Sequence, residues 1–105
     1  MALPTDREAK LLKMATQFPE APTAQFSLGK LLLEERRYAE AIERLALASK
    51  LDPTFAAAWV ALGDARAGAG EQEGASEAWG RAKRMALDQG HPELAEEVDQ
   101  RLEET

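Results

Sequence analysis

Hydrophobic positions recur along this chain in blocks of helical spacing. Leu11, Met14, Ala15 and Phe18 fall at i, i+3, i+4 and i+7, one face of a helix. Ahead of them Thr5-Asp6-Arg7-Glu8 reads as a capping box, in which the Thr5 hydroxyl accepts from the third helical N–H and Glu8 reaches back. This predicts a leader helix over about 5–17. Pro19 and Pro22 stop it and start a second helix over about 22–35, with Leu28, Leu31 and Leu32 on its buried side. Glu34-Glu35-Arg36-Arg37 marks a polar turn that contains no glycine. A third helix, about 38–51, carries Tyr38, Ala41, Ile42, Leu45 and Ala48, and Asp52-Pro53 closes it. Thr54 is the expected N-cap of a fourth helix over about 55–68, which Gly68 and Gly70 end. The fifth, about 72–87, places Ala75, Ala78, Trp79, Ala82, Met85 and Ala86 on one side. Gly74 and Gly80 lie inside it at about 1 kcal/mol each against alanine, which points either to close packing or to a solvent-facing site. After Gly90-His91-Pro92 a closing helix over about 92–103 aligns Leu94, Val98 and Leu102. No segment has the alternation of a strand, so the chain reads as all-α.

The blocks repeat. Displacing the sequence until Pro19 falls on Pro53 also pairs Ala24 with Ala58, Leu28 with Leu62 and Gly29 with Gly63. The same shift pairs Ala41 with Ala75, Leu45 with Trp79 and Ala48 with Ala82, and brings Leu11 of the leader helix under Leu45. Helices approach closely where a side chain is missing. Gly29 and Gly63 are therefore expected to face small residues such as Ala41 and Ala75, with Leu28, Leu32, Leu45, Trp59, Leu62 and Trp79 filling the space around them and Ala48 and Ala82 extending the contact.

A period of about 34 residues made of two helices resembles the tetratricopeptide repeat. One copy is Gln25-x2-Leu28-Gly29-x2-Leu32…Ala41-x3-Leu45…Pro53, and the next is Trp59-x2-Leu62-Gly63-x2-Arg66…Ala75-x3-Trp79. Three positions depart from the family pattern: Gln25 replaces tryptophan, Arg66 replaces an aromatic residue, and Leu87 stands where a second proline would. The resemblance implies one domain over 1–105: leader helix, repeat one over about 22–55, repeat two over about 56–89, and closing helix. The implied fold is a short right-handed α–α superhelix of six helices, since such hairpins bury their apolar faces only by stacking.

Composition narrows the chemistry. The chain has 105 residues, no cysteine, 45% hydrophobic and 30% charged residues, ordinary values for a globular domain. Its net charge of −6 is uneven, −1 over residues 1–90 and −5 over residues 91–105. An acidic chain without a basic stripe repels phosphate, so neither nucleic acid nor an anionic membrane is an expected partner. No apolar run reaches the roughly 20 residues that cross a bilayer, and no secretory leader is visible, so a cytoplasmic protein is expected. His91, the single histidine, sits between Gly90 and Pro92 as an exposed turn residue. Glu34-Glu35 and Glu96-Glu97 are adjacent pairs that point to different sides of a helix, and Gly68-Ala69-Gly70 lacks the lysine of a phosphate loop. No catalytic residue, metal site or cofactor is expected.

In the family the chain resembles, the first helix of each hairpin lines a concave groove that holds a peptide or helix of another protein. On this sequence the groove set is Thr23, Phe26, Lys30 and Leu33 on the second helix and Ala57, Val60, Asp64 and Ala67 on the fourth. Phe26, Leu33 and Val60 offer apolar anchors, and Lys30 and Asp64 offer charges that would orient a ligand. The other reading of Phe26, Leu33 and Val60 is plain packing on the preceding helix. Absence of asparagine argues against the carboxylate clamp with which some family members hold chaperone tails. The leading expectation is a protein-binding adapter, and the alternative is a structural protein that associates with its own copy.

Overall fold

The computed structural model describes residues 5–104. It contains six α-helices: α1 (Asp6–Gln17), α2 (Pro22–Glu34), α3 (Tyr38–Leu51), α4 (Ala56–Gly68), α5 (Gln72–Asp88) and α6 (Pro92–Glu103). Each packs on the next in sequence, and α2 also meets α4. The result is an α–α superhelix with two full hairpins, α2–α3 and α4–α5, flanked by single helices.

Caps and turns explain where the helices break. Thr5 Oγ1 accepts from the Glu8 N–H at 3.1 Å. The reciprocal half of the expected capping box is absent, because the Glu8 carboxylate is drawn instead to Arg37 Nη1 at 2.7 Å. Thr54 does not cap α4. Phe55 holds the N-cap position, and the Thr54 N–H and hydroxyl both donate to Asp52 Oδ1, at 3.1 and 2.7 Å, closing the turn before the helix. The glycine-free turn after α2 is made by Arg36 at φ 59°, the place that Gly70 (φ 84°) takes one repeat later. Both turns close with the same hydrogen bond, Arg37 N–H to Leu32 O at 2.9 Å in the first and Glu71 N–H to Arg66 O at 2.8 Å in the second.

The core differs from expectation at its closest approach. Gly29 and Gly63 come closest to Leu45 and Trp79 rather than to Ala41 and Ala75. A Cβ built on Gly29 would fall 2.7 Å from Leu45 Cγ, and one on Gly63 would run into the Trp79 indole. The missing side chain makes room for a large buried group of the hairpin's other helix, and Ala41, Ala48, Ala75 and Ala82, all fully buried, let the backbones close around it. Of the two interior glycines of α5, Gly74 is the close approach: the Arg66 stem lies over it, and Arg66 Nη1 donates to Gly74 O at 3.1 Å. Gly80 has open space.

Gln25, where the family pattern has tryptophan, is 1% exposed and fully used. Its Nε2 donates to Ala15 O and Pro19 O, both at 3.2 Å, and its Oε1 accepts from Arg44 Nη1 at 3.1 Å. Trp59 makes the corresponding bond in the second repeat, Nε1 to Pro53 O at 2.9 Å. Gln25 thus keeps the N–H of the tryptophan while tying α1, the turn and α3 together.

The two flanking helices pack unequally. In α6, Ala95 and Val98 are buried and Leu94 and Leu102 join the same cluster. In α1 only Ala15 is buried, with Leu11 partly covered. Met14 and Phe18, expected on the inner face, are 46% and 59% exposed.

Candidate binding groove

Every residue of the expected groove lies on α2 or α4, the first helices of the two hairpins. Thr23 and Lys30 are exposed, and Phe26, Leu33, Ala57 and Ala67 are half-buried. The Phe26 ring lies 4.8 Å from that of Phe55 at 45°, joining the α2 wall to the start of α4. From there a cleft of about 620 Å³ opens between the first turns of α4 and α6, with Phe55, Ala57 and Leu94 as its apolar part and Asp52, Glu93 and Glu97 at its edge. His91, exposed at the N-cap of α6, also lines it.

Val60 and Asp64 are engaged within the fold. Val60 is 8% exposed and clusters with Trp79 and Val98. Asp64 takes both ends of the Arg101 guanidinium, Nε to Oδ1 at 2.7 Å and Nη2 to Oδ2 at 3.2 Å, and also accepts from Trp79 Nε1 at 3.1 Å. Partial burial by itself lowers the Arg101 pKa; the hydrogen bonds and charge of Asp64, with Glu97 adding to them, more than offset this and raise it. This fork fastens α6 to α4, so the closing helix stands beside α4 as a further wall. Four contributors escaped the sequence reading: Phe55, Leu94, Glu93 and Arg101. Phe55 shares the helical spacing of Ala58, Trp59 and Leu62, but it sits at the N-cap and turns to Phe26, and Arg101 reaches Asp64 across 37 positions with no motif to link them.

Other polar groups are bound to structure. Arg37 bridges Glu8 at 2.7 Å, Glu35 at 3.2 Å and Glu40 at 2.6 Å, and the hydrogen bonds it donates to Glu40 and then to Glu8 raise its pKa. Lys83 reaches the acidic face of α6, 2.7 Å from Asp99. Arg81 instead lies over the Trp59 ring, 5.1 Å from its centroid, and pairs with Glu77 at 3.6 Å. Among the described residues, no three acidic or histidine side chains converge as metal ligands do, and no helix is long and apolar enough to cross a membrane.

No family model matches the chain. The TPR repeat-containing protein PA0015 of Pseudomonas aeruginosa is 32% identical over 88 residues, which is 84% of this chain and 84% of that one. The solution structure of protein BPP2914 from Bordetella parapertussis is similar with a TM-score of 0.81 at 28% identity, over 95% of this chain and 87% of that chain. With its two-helix repeat, its paired glycine–indole and glycine–leucine contacts and this relative, the chain belongs to the tetratricopeptide-repeat family.

Proposed function

We propose that the protein is an adapter that holds a short segment of another protein in the groove formed by α2 and α4 and extended by α6. The observation that carries this reading is the continuity of half-buried apolar side chains from Leu33 and Phe26 through Phe55 to Ala57 and Leu94, on first helices of neighbouring hairpins. Membership of a family that serves in general as protein-interaction modules supports it. Phe26 and Phe55 are the anchors, Lys30 orients the segment at the α2 end, and Ala57 keeps the floor low enough for a bound side chain to enter. Val60 and Asp64 shape the groove from behind.

Site-specific photocrosslinking tests this. A benzophenone side chain is placed in turn at Thr23 and Lys30, in the groove, and at Glu43 and Glu77, on the second helices of the hairpins, and the protein is irradiated in extract of its native cells. Discrete adducts at Thr23 and Lys30 that vanish with Phe26→Asp are the expected result. Equal yields at all four positions, or adducts confined to Glu43 and Glu77, remove the groove from the account.

A further inference from the structure

Helix α1 stands in the register of a second helix, and among the described residues no first helix pairs with it. Shifted by one repeat, its Arg7, Leu11 and Met14 fall on Ala41, Leu45 and Ala48 of α3, and by two repeats on Ala75, Trp79 and Ala82 of α5. In α3 and α5 those six residues are at most 5% exposed, covered by α2 and α4. In α1 the same face is only partly covered: Leu11 is half-buried against the core, but Met14 is 46% exposed, the Arg7 side chain 63%, and Phe18, four residues beyond Met14, 59%. Among the described residues the large exposed hydrophobics are Leu12, Met14, Phe18 and Leu87, so three of the four lie on this helix or its cap. The periodicity also states what fits there. Leu45 and Trp79 each rest on a glycine of the helix that covers them, and Leu11 stands at their position.

Charge narrows the occupant. Lys10 and Lys13 are exposed and make no ion pair among the described residues, while Arg7 pairs with Glu34 at 3.3 Å in an exposed bridge. In an antiparallel hairpin the end of the covering helix lies against the start of α1, beside Arg7 and Lys10. We infer that α1 is a docking site for an acidic amphipathic helix of a partner protein, laid into the slot that α2 and α4 fill in the complete hairpins, with a glycine over Leu11 and carboxylates at its C-terminal end. This surface is separate from the α2–α4 groove. The closing helix of a second copy does not supply such a helix. The apolar stripe of α6 (Ala95, Val98, Leu102) is already spent on α5 and α4, and its free side, Glu93, Glu96, Gln100 and Glu103, carries no apolar residue.

A fluorescein-labelled peptide with the sequence of residues 21–35 serves as the probe, since it carries Leu28-Gly29 and ends in Glu34-Glu35; Lys30→Asp is introduced to remove its cation. Anisotropy should rise with the intact protein, with a dissociation constant in the tens of micromolar. A Met14→Lys, Phe18→Lys protein should bind about ten-fold more weakly, and a Gly29→Leu peptide likewise, whereas Leu87→Lys in the protein changes nothing. The lysines replace exposed side chains, so an unaltered circular dichroism spectrum separates lost docking from lost folding. A peptide with Glu34→Lys and Glu35→Lys should also bind more weakly. Three results overturn the inference: no binding at millimolar protein, equal binding by the double variant, or a sedimenting dimer that the double variant dissociates, which would assign the face to a second copy. Groove crosslinking from Thr23 and Lys30 is unaffected by the double variant, so the two readings fail separately.

Discussion

The two hairpins have one backbone arrangement and different contents. Hairpin α2–α3 seats Leu45 on Gly29, ties its first helix with Gln25 and turns at Arg36. Hairpin α4–α5 seats Trp79 on Gly63, ties its first helix with Trp59 and turns at Gly70. What the two share is a relation between positions: an absent side chain beneath a large one, a side-chain N–H to the carbonyl of the preceding proline, and a left-handed residue after the first helix. What differs is how much each hairpin draws from that relation, since an indole buries more apolar surface than an isobutyl group. The second hairpin is therefore the more strongly fastened of the two, and Asp64 adds to it by accepting from both Trp79 and Arg101.

Truncating the large group should break this comparison most. Trp79→Ala removes the indole over Gly63, the bond to Asp64 and part of the α6 cluster, and is expected to cost about 3–5 kcal/mol. Leu45→Ala in the first hairpin is expected nearer the lower end of about 2–5 kcal/mol. Urea melts that place Leu45→Ala below Trp79→Ala in stability would reverse the ranking of the hairpins. Filling the glycine sites comes next. Gly63→Ala sets a methyl group against a rigid ring, whereas Gly29→Ala meets the branched end of Leu45, which can turn aside. About 2–3 kcal/mol is expected for the first and about 1 kcal/mol for the second. Adding Trp79→Leu to Gly63→Ala replaces the rigid ring with the side chain that the first hairpin uses and should recover part of the loss.

The relation between positions is also what decided how much could be read beforehand. The repeat period announced the helices and the stack because it depends on residue size, which the sequence displays. The direction of contact across each hairpin did not follow. Alanine opposite glycine is the natural guess for close approach, but it leaves the volume of Leu45 and Trp79 without a place, and packing density requires one. At the groove the sequence displayed which residues share a helix face, and not what crosses to meet them. Asp64 looks free until Arg101 reaches it from 37 positions away, and Val60 looks like an anchor until Val98 covers it. Long side chains arriving from a different element leave no local signature. The same holds for α1: its apolar spacing was visible, but that Met14 and Phe18 stay exposed among the described residues follows only from the packing.

The α4–α6 fastening is a smaller effect. Arg101→Met keeps the aliphatic stem and removes the fork to Asp64. With both side chains somewhat over a quarter exposed, a loss of about 1 kcal/mol is expected. It should be salt-sensitive and localised: amide exchange should quicken in α6 and leave α2–α3 as it was. Acceleration spread evenly over all six helices would mean that the closing helix is coupled to the whole stack and not to its neighbour alone.

The smallest expected effect exchanges the turn residues. Arg36 holds φ 59°, a conformation in which the Cβ of an L-residue crowds its own carbonyl at a cost of roughly 1–2 kcal/mol, and Gly70 adopts φ 84° in the equivalent turn without that penalty. Arg36→Gly removes the crowding and returns part of the gain, because glycine frees the unfolded chain. A net stabilisation of about 0.5 kcal/mol follows, or a rise in Tm of roughly 2–4 °C. Gly70→Arg is the converse and should lower Tm by at least as much. If Arg36→Gly instead lowers Tm, the Arg36 side chain contributes more to the first hairpin than its turn geometry costs, and the two turns, alike in their hydrogen bonds, are not equivalent in energy.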